Sequence, residues 1–194
     1  MYRQIILASN SKARAGLLKK SGFRFKVRAS GVKEVKYRPG MSVRRLVIYN
    51  SCLKAKKVMA SYKNEIIIAA DTVVLQNKMV FGKPRDKKEA FRIIKRLSSQ
   101  PSFVYTGLAV ADCKNNKIYT DCEVTKVWML KLSDSEINEY LSIADTKHLS
   151  FAGGFDIQGR GSLFIERIDG CFYNVVGLPL AKLHKLLKKC AIGL

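Results

Sequence analysis

Five apolar residues, Ile66-Ile67-Ile68-Ala69-Ala70, lead directly into Asp71-Thr72, and no other stretch of the chain limits its fold so tightly. An apolar run of this length with β-branched enrichment reads as a strand buried on both faces, the kind that helices cover from two sides. The run then ends in a carboxylate. A charge at the mouth of a buried strand is costly to desolvate unless it is paired or binds a cation. Ten residues on, Phe81-Gly82-Lys83-Pro84 sets a lysine on a glycine-proline turn. The two segments predict a carboxylate and an ammonium presented at the end of a sheet, where phosphate and metal chemistry often sits. A turn- or helix-capping role for Asp71 is the plainer alternative.

The rest of the chain alternates strands and helices without a repeat or a long linker. Residues 4–8 read as a strand, followed by a polar turn, Ser9-Asn10-Ser11, suited to capping a helix that runs to about Lys20. Residues 23–28 alternate as a strand. Residues 29–41 form an irregular loop containing Glu34. The helix expected over 42–61 turns Val43, Leu46, Val47 and Leu53 toward the core, and Lys54 shares a face with Val47 and Asn50, so it is directed inward. A strand over 66–75 with a break at Asp71 precedes a hairpin turn at Gln76-Asn77-Lys78. Capping pairs Asp86…Glu89 and Ser133…Glu136 open two further helices. Long strands over 103–111 and 117–132 flank a turn at Asn115-Asn116. A glycine-rich loop (150–161), a strand (162–167) and a C-terminal helix (180–190) complete the chain. Antiparallel hairpins in the second half favour a mixed-sheet α/β fold over a purely parallel one.

A chain of 194 residues with 47% apolar content suits one globular domain, or two small lobes around one core. The formal net charge of +21 attracts polyanions: nucleic acid, anionic membrane or phosphorylated small molecules. No stretch of 18 apolar residues is present, so no membrane span is expected, and the N-terminus reads as strand rather than leader. Five scattered cysteines without a Cys-x-x-Cys pair favour reduced thiols and a cytoplasmic location. Two isolated histidines, His148 and His184, are too few for a zinc site. Residues 1–64 hold seventeen Lys or Arg and a single acidic residue, Glu34. Glu34 lies in a loop, away from any helix-face ion pair. It either pairs with a nearby lysine or supplies a second carboxylate beside Asp71.

Taken in order, the motifs resemble the Maf family of nucleoside triphosphate pyrophosphatases over nearly the whole chain. They are Leu7-Ala8-Ser9-Asn10-Ser11 with Arg14, Lys33-Glu34, Lys54-Ala55, Ala70-Asp71-Thr72-Val73-Val74, Gly82-Lys83-Pro84, Tyr105-Thr106-Gly107, Ala152–Gly159 and Asn174–Leu180. The resemblance implies a single domain over residues 1–194, with a twisted mixed sheet flanked by helices, similar to the inosine triphosphate pyrophosphatases, and two lobes about a central cleft. It implies hydrolysis between the α- and β-phosphates of a nucleotide, a divalent cation (Mg²⁺ or Mn²⁺), and a homodimer. Lys54 and Gln158 match the branch that prefers dTTP and UTP; the sister branch also acts on methylated GTP. Four positions depart from the pattern: Lys12 and Ala13 replace a proline and an arginine, Asp156 a glycine, and Tyr173 a serine. Ala13 removes an arginine tied to base choice.

On this resemblance, Asp71, Glu34 and Lys83 are the catalytic candidates, with Asp71 and Glu34 as metal ligands. Ser9, Ser11, Arg14, Lys54 and Gln158 bind substrate. The chemistry fits. Ser9–Ser11 sit at a strand-to-helix turn whose N–H groups and dipole attract phosphate. Arg14 can reach back with its planar fork. Two hard carboxylates suit a divalent ion, and the amide of Gln158 can read a pyrimidine edge. A non-catalytic nucleic-acid-binding protein is the competing reading of the charge, although the aromatics do not interleave with the basic residues as a stacking platform would.

Overall fold

The computed structural model describes residues 3–143 and 147–192. The elements follow as β1 (Ile5–Leu7), α1 (Lys12–Lys20), β2 (Phe25–Val27), α2 (Val43–Met59), β3 (Ile66–Gln76), β4 (Met79–Phe81), α3 (Lys87–Leu97), β5 (Ser102–Asp112), β6 (Lys117–Met129), α4 (Asp134–Ile143), β7 (Ile165–Asp169), α5 (Phe172–Val176) and α6 (Leu180–Lys188). The sheet order is β2-β1-β3-β5-β6-β7, with β4 paired to β3. β1 runs parallel to both β2 and β3, whereas β3–β4 and β6–β7 are antiparallel. The expected mixed α/β sheet is therefore present.

The chain forms two compact units: Met1–Asp71, Thr106–Glu123 and Gly177–Leu194 make the first, and Thr72–Tyr105 with Val124–Val176 the second. β3, β5 and β6 each contribute residues to both.

In the first unit, Ile5, Ile6, Leu7 and Ile66–Ala70 are buried, as the continuous apolar run requires. One face of this sheet is built from small side chains. Ala8, Ala69, Ala109 and Ala111 pack with Ile6 and Ile67 against Ala55 and Val58 of α2. Small residues let the helix lie close. The closest approach is at Gly107, where a Cβ would stand 2.3 Å from both the carbonyl carbon and oxygen of Val47. Both obstacles are backbone, so no rotamer change relieves them, and glycine in the Tyr105-Thr106-Gly107 motif is what seats α2 on β5.

The caps follow the sequence. Ser11, Ser42, Asp86 and Ser133 each accept the backbone N–H three residues on. Glu136 completes its capping box on the Ser133 N–H at 2.8 Å, whereas Glu89 reaches one residue further back, to the N–H of Arg85, also at 2.8 Å. The β3–β4 hairpin turns through Asn77 and Lys78 with φ of 47° and 62°, the left-handed pair that a two-residue hairpin needs.

Two expectations need correction, and one element was not foreseen. β3 does not break at Asp71; it runs on through Gln76, because Thr72, Val73 and Val74 sustain the β-branched pattern and the carboxylate is satisfied where it stands. Leu53 is only half-buried. The stretch after β7 holds a short helix, α5, whose five residues are too few to show a period. Its anchor is Asn174, fully buried, which donates from Nδ2 to the carbonyl of Val104 and the hydroxyl of Thr125, each at 2.9 Å. The same hydroxyl accepts from the Cys171 N–H and donates to the Cys171 carbonyl, so Thr125 has no hydrogen-bonding capacity left over.

At the far end of β5, Arg3 grips Asp112, whose carboxylate also takes the N–H and side-chain amide of Asn115 in the β5–β6 turn. The hydrogen bond from Arg3 is the main reason that the Asp112 carboxyl is lowered from 3.8 to about 2. A depressed carboxyl stabilises the fold fully above its ordinary value and loses that contribution as pH falls through about 2. The thermal stability of the native chain is expected to fall between about pH 4 and pH 2. An Asp112→Asn variant, less stable at neutrality, should converge on it at the acid end. Parallel acid limbs for the two proteins would refute the assignment.

Candidate active site

Lys54 is the hub of the first unit. It stands on α2, three helical turns in, with its side chain 10% exposed and turned onto β3. Its ammonium lies 2.8 Å from Asp71 Oδ1 and 2.7 Å from Glu34 Oε1, and donates to the Ala70 carbonyl at 3.2 Å. The expected inward orientation of Lys54 is thus observed. Glu34 does pair with a lysine, and the same lysine is the partner of Asp71. Asp71 is buried, at 6% side-chain exposure, whereas Glu34 reaches out of its loop at 53%.

The second oxygen of Asp71 is also held. Asn50, one turn before Lys54 on α2, donates from Nδ2 to Asp71 Oδ2 at 3.0 Å. The same amide pairs with the backbone of Val35, donating to its carbonyl at 3.1 Å and accepting its N–H at 2.9 Å. Asn50 is not among the residues expected to form the site. Its only signal was a polar residue on the inward face of α2, a turn away from Lys54.

The turn between β1 and α1 builds a third element. Ser9 Oγ accepts the Ser11 N–H and the Arg14 Nη1–H, each at 3.2 Å. Arg14 Nε donates to the Gly177 carbonyl at 2.8 Å. The first and last motifs of the sequence therefore meet, and the guanidinium is fixed in orientation. Burial pulls the Arg14 pKa below its ordinary value, and Asp71 and Glu34 push it back up; the group stays a cation near neutrality. Ser9, Ser11, Arg14, Glu34, Lys54 and Asp71 thus come together in one unit.

Lys83 and Gln158 belong to the second unit. Both are exposed, and their segments are joined. The Gly82 carbonyl accepts the Gly153 N–H at 3.0 Å. Gly153 has φ +81°, and a Cβ there would meet Leu97, Val74 and Phe155 at 3.0–3.2 Å, so the glycine-rich loop packs only with glycine at this point. Asp156, which departs from the family pattern, shapes the turn that carries Gln158: its Oδ1 accepts the Gln158 N–H at 2.9 Å.

Asp71 and Glu34 offer hard oxygen atoms in the same unit as Arg14 and the turn between β1 and α1. Among the described residues no set of three His, Cys, Asp or Glu side chains converges to cage a metal by itself. Two carboxylates, with phosphate oxygens and water completing the shell, are the donors that suit Mg²⁺ or Mn²⁺. The residues present fit an ion that arrives with phosphate.

A family model described as Maf-like protein matches residues 4–190. The chain belongs to the Maf family. Maf relatives include a protein of Dictyoglomus turgidum, 42% identical over the full length of both chains, and one of Methanosarcina barkeri, 41% identical over 99% of this chain and 96% of its own. Both are named dTTP/UTP pyrophosphatase. Among solved structures, the Staphylococcus aureus Ham1 protein is similar at a TM-score of 0.43 and 10% identity, covering 66% of this Maf chain and 73% of its own.

Proposed function

We propose that this Maf protein hydrolyses nucleoside triphosphates, with dTTP and UTP preferred, between the α- and β-phosphates to give a monophosphate and pyrophosphate. The observation that carries the reading is the convergence of Asp71 and Glu34 on one ammonium, next to an arginine locked onto a strand-to-helix turn. Names of full-length relatives above 40% identity support the substrate class. The family match spans both compact units, which supports one catalytic domain over residues 1–194.

The roles follow from the geometry. Arg14 and the Ser9–Ser11 turn bind phosphate oxygens through charge and N–H groups. Asp71 and Glu34 would hold Mg²⁺ or Mn²⁺, which when bound offsets phosphate charge. Each Asp71 oxygen accepts one hydrogen bond and keeps a lone pair, so Asp71 can orient the attacking water and take its proton. Lys54 keeps the two carboxylates together and presents positive charge. Lys83, as a cation for the phosphates, and Gln158, as a reader of the base, rest on the sequence motifs. A cytoplasmic location is in keeping with five free thiols, of which burial pushes Cys122 and Cys190 up to about 11. Homodimerisation is part of the same proposal and is read by light scattering.

Pyrophosphate release from dTTP, UTP, CTP, GTP and methylated GTP, with Mg²⁺ and with chelator, tests the reading. dTTP and UTP are expected to lead. Ala13 removes a charged hydrogen bond, worth about 1.5–3 kcal/mol or roughly 10–100-fold, so the lead should be narrow and should widen in Ala13→Arg. A methylated GTP as best substrate would move the chain to the sister branch. No release from any of the five would end the assignment.

One observation favours weak nucleic-acid binding as an accompanying property. On the sheet of the second unit, Lys126 stands over the rings of Phe103 and Trp128, and the Arg167 guanidinium lies 3.9 Å from the Trp128 ring centre. Basic side chains are thus seated on aromatic rings across neighbouring strands. Trp128 is the chain's single tryptophan, so its fluorescence reports on this surface. Quenching by oligothymidylate that disappears with salt is the expected result. Tight binding that survives high salt would instead favour a dedicated nucleic-acid protein.

A further inference from the structure

We propose that Asn50 is a positioning residue for the reaction, the splint that holds the Glu34 loop against Asp71. The proposal rests on the pyrophosphatase reading above. Asn50 is 2% exposed on α2, and its amide is almost fully used. One Nδ2 hydrogen goes to Asp71 Oδ2 and the other to the Val35 carbonyl, while Oδ1 takes the Val35 N–H. Paired in this way with both backbone groups of Val35, the side chain stands in for a neighbouring strand. The segment between β2 and α2 has no regular structure where Glu34 lies, so it lacks the ladder bonds that would fix a carboxylate. Asn50 supplies them one residue after Glu34.

The consequence is a fixed relation between two carboxylates of different character. Asp71 is buried on a strand; Glu34 is exposed on a loop. Lys54 attracts both, but an ammonium is a point charge with no directional demand on a carboxylate. A planar amide bonded on three sides does impose direction. Asn50 therefore sets where the Glu34 loop sits relative to Asp71, and Lys54 holds the carboxylates at that setting. Asn50 need not touch substrate to do this.

The experiment compares the native chain with Asn50→Ala, the volume-matched Asn50→Leu, Glu34→Gln, and the double variant Glu34→Gln/Asn50→Ala. Three quantities are read: amide hydrogen exchange at Val35 without added metal, Mn²⁺ affinity from the paramagnetic resonance of the free ion, and steady-state pyrophosphate release. In both Asn50 variants the Val35 amide should exchange at least about tenfold faster, while the core amides of Ile67 and Val110 hold. Mn²⁺ binding should weaken. The kcat should fall roughly 10–100-fold, with KM for dTTP moving less than about threefold. If Asn50 works through the Glu34 loop, the double variant is no slower than Glu34→Gln alone. Unchanged Val35 exchange, an unchanged rate, or losses that multiply in the double variant would each overturn the proposal. An inactive native chain would refute the pyrophosphatase reading instead, and Val35 exchange with Mn²⁺ affinity would then decide the role of Asn50 alone.

Discussion

An Asp71→Asn protein is expected to lose pyrophosphate release by roughly 10²–10⁴-fold and still fold. The substitution removes one negative charge from the pair that would hold a divalent ion, and on the proposed mechanism it also removes the acceptor for the proton of the attacking water. The structural cost is smaller and has a definite source. In the native chain both Asp71 oxygens accept, one from Lys54 and one from Asn50. An asparagine keeps one acceptor and turns an amide N–H₂ toward a donor, leaving a mismatched contact worth about 1–3 kcal/mol. Lys54 retains Glu34 and the Ala70 carbonyl, so no buried cation is stranded. Rates measured alongside urea unfolding separate the two effects. Native-like turnover by a folded Asp71→Asn chain would sink the catalytic assignment.

Lys54→Met should reverse that balance, with stability hit hardest. Methionine fills much of the lysine stem but leaves Asp71 buried, with Asn50 as its remaining partner in the cluster. Breaking a buried pair by removing one ion costs about 3–5 kcal/mol, or a fall in Tm of roughly 6–20 °C for a chain of this size. Glu34 escapes most of the penalty because it can turn to water. Replacing both ions, in Lys54→Met/Asp71→Leu, should recover much of the loss, since no uncompensated charge remains. If the double variant is no more stable than the single, the destabilisation comes from packing rather than charge.

These contrasts depend on geometry that the sequence showed only in part. The apolar run of β3, the caps of α1, α3 and α4 and the β3–β4 turn were legible because each rests on local rules: burial on two faces, a hydroxyl or carboxylate three residues before an N–H, two residues with positive φ. The inward aim of Lys54 followed from helical periodicity. Asp71 looked like a strand end because a charge after five apolar residues suggests a boundary. What keeps it within the strand is a pair of partners 17 and 21 residues away, beyond any local pattern. Asn50 was missed for the same reason. Its significance lies in a loop without periodicity, and only the folded backbone shows that Val35 comes to it. Gly107 was visible as part of a motif, but its cause, the backbone of α2 pressing on β5, is a tertiary fact.

The cluster formed by Asp71, Glu34, Lys54 and Arg14 has two negative and two positive side chains, so it is neutral as a group while the chain as a whole carries +21. The excess charge therefore belongs to the rest of the molecule, where ions in solution can screen it. Attraction of a triphosphate from a distance draws on that outer charge and weakens as ionic strength rises. Events after arrival draw on short contacts among half-buried groups that salt reaches poorly. Added salt should accordingly slow capture, seen in kcat/KM, and leave kcat nearly level, because the charge that recruits the anion is not the charge that processes it.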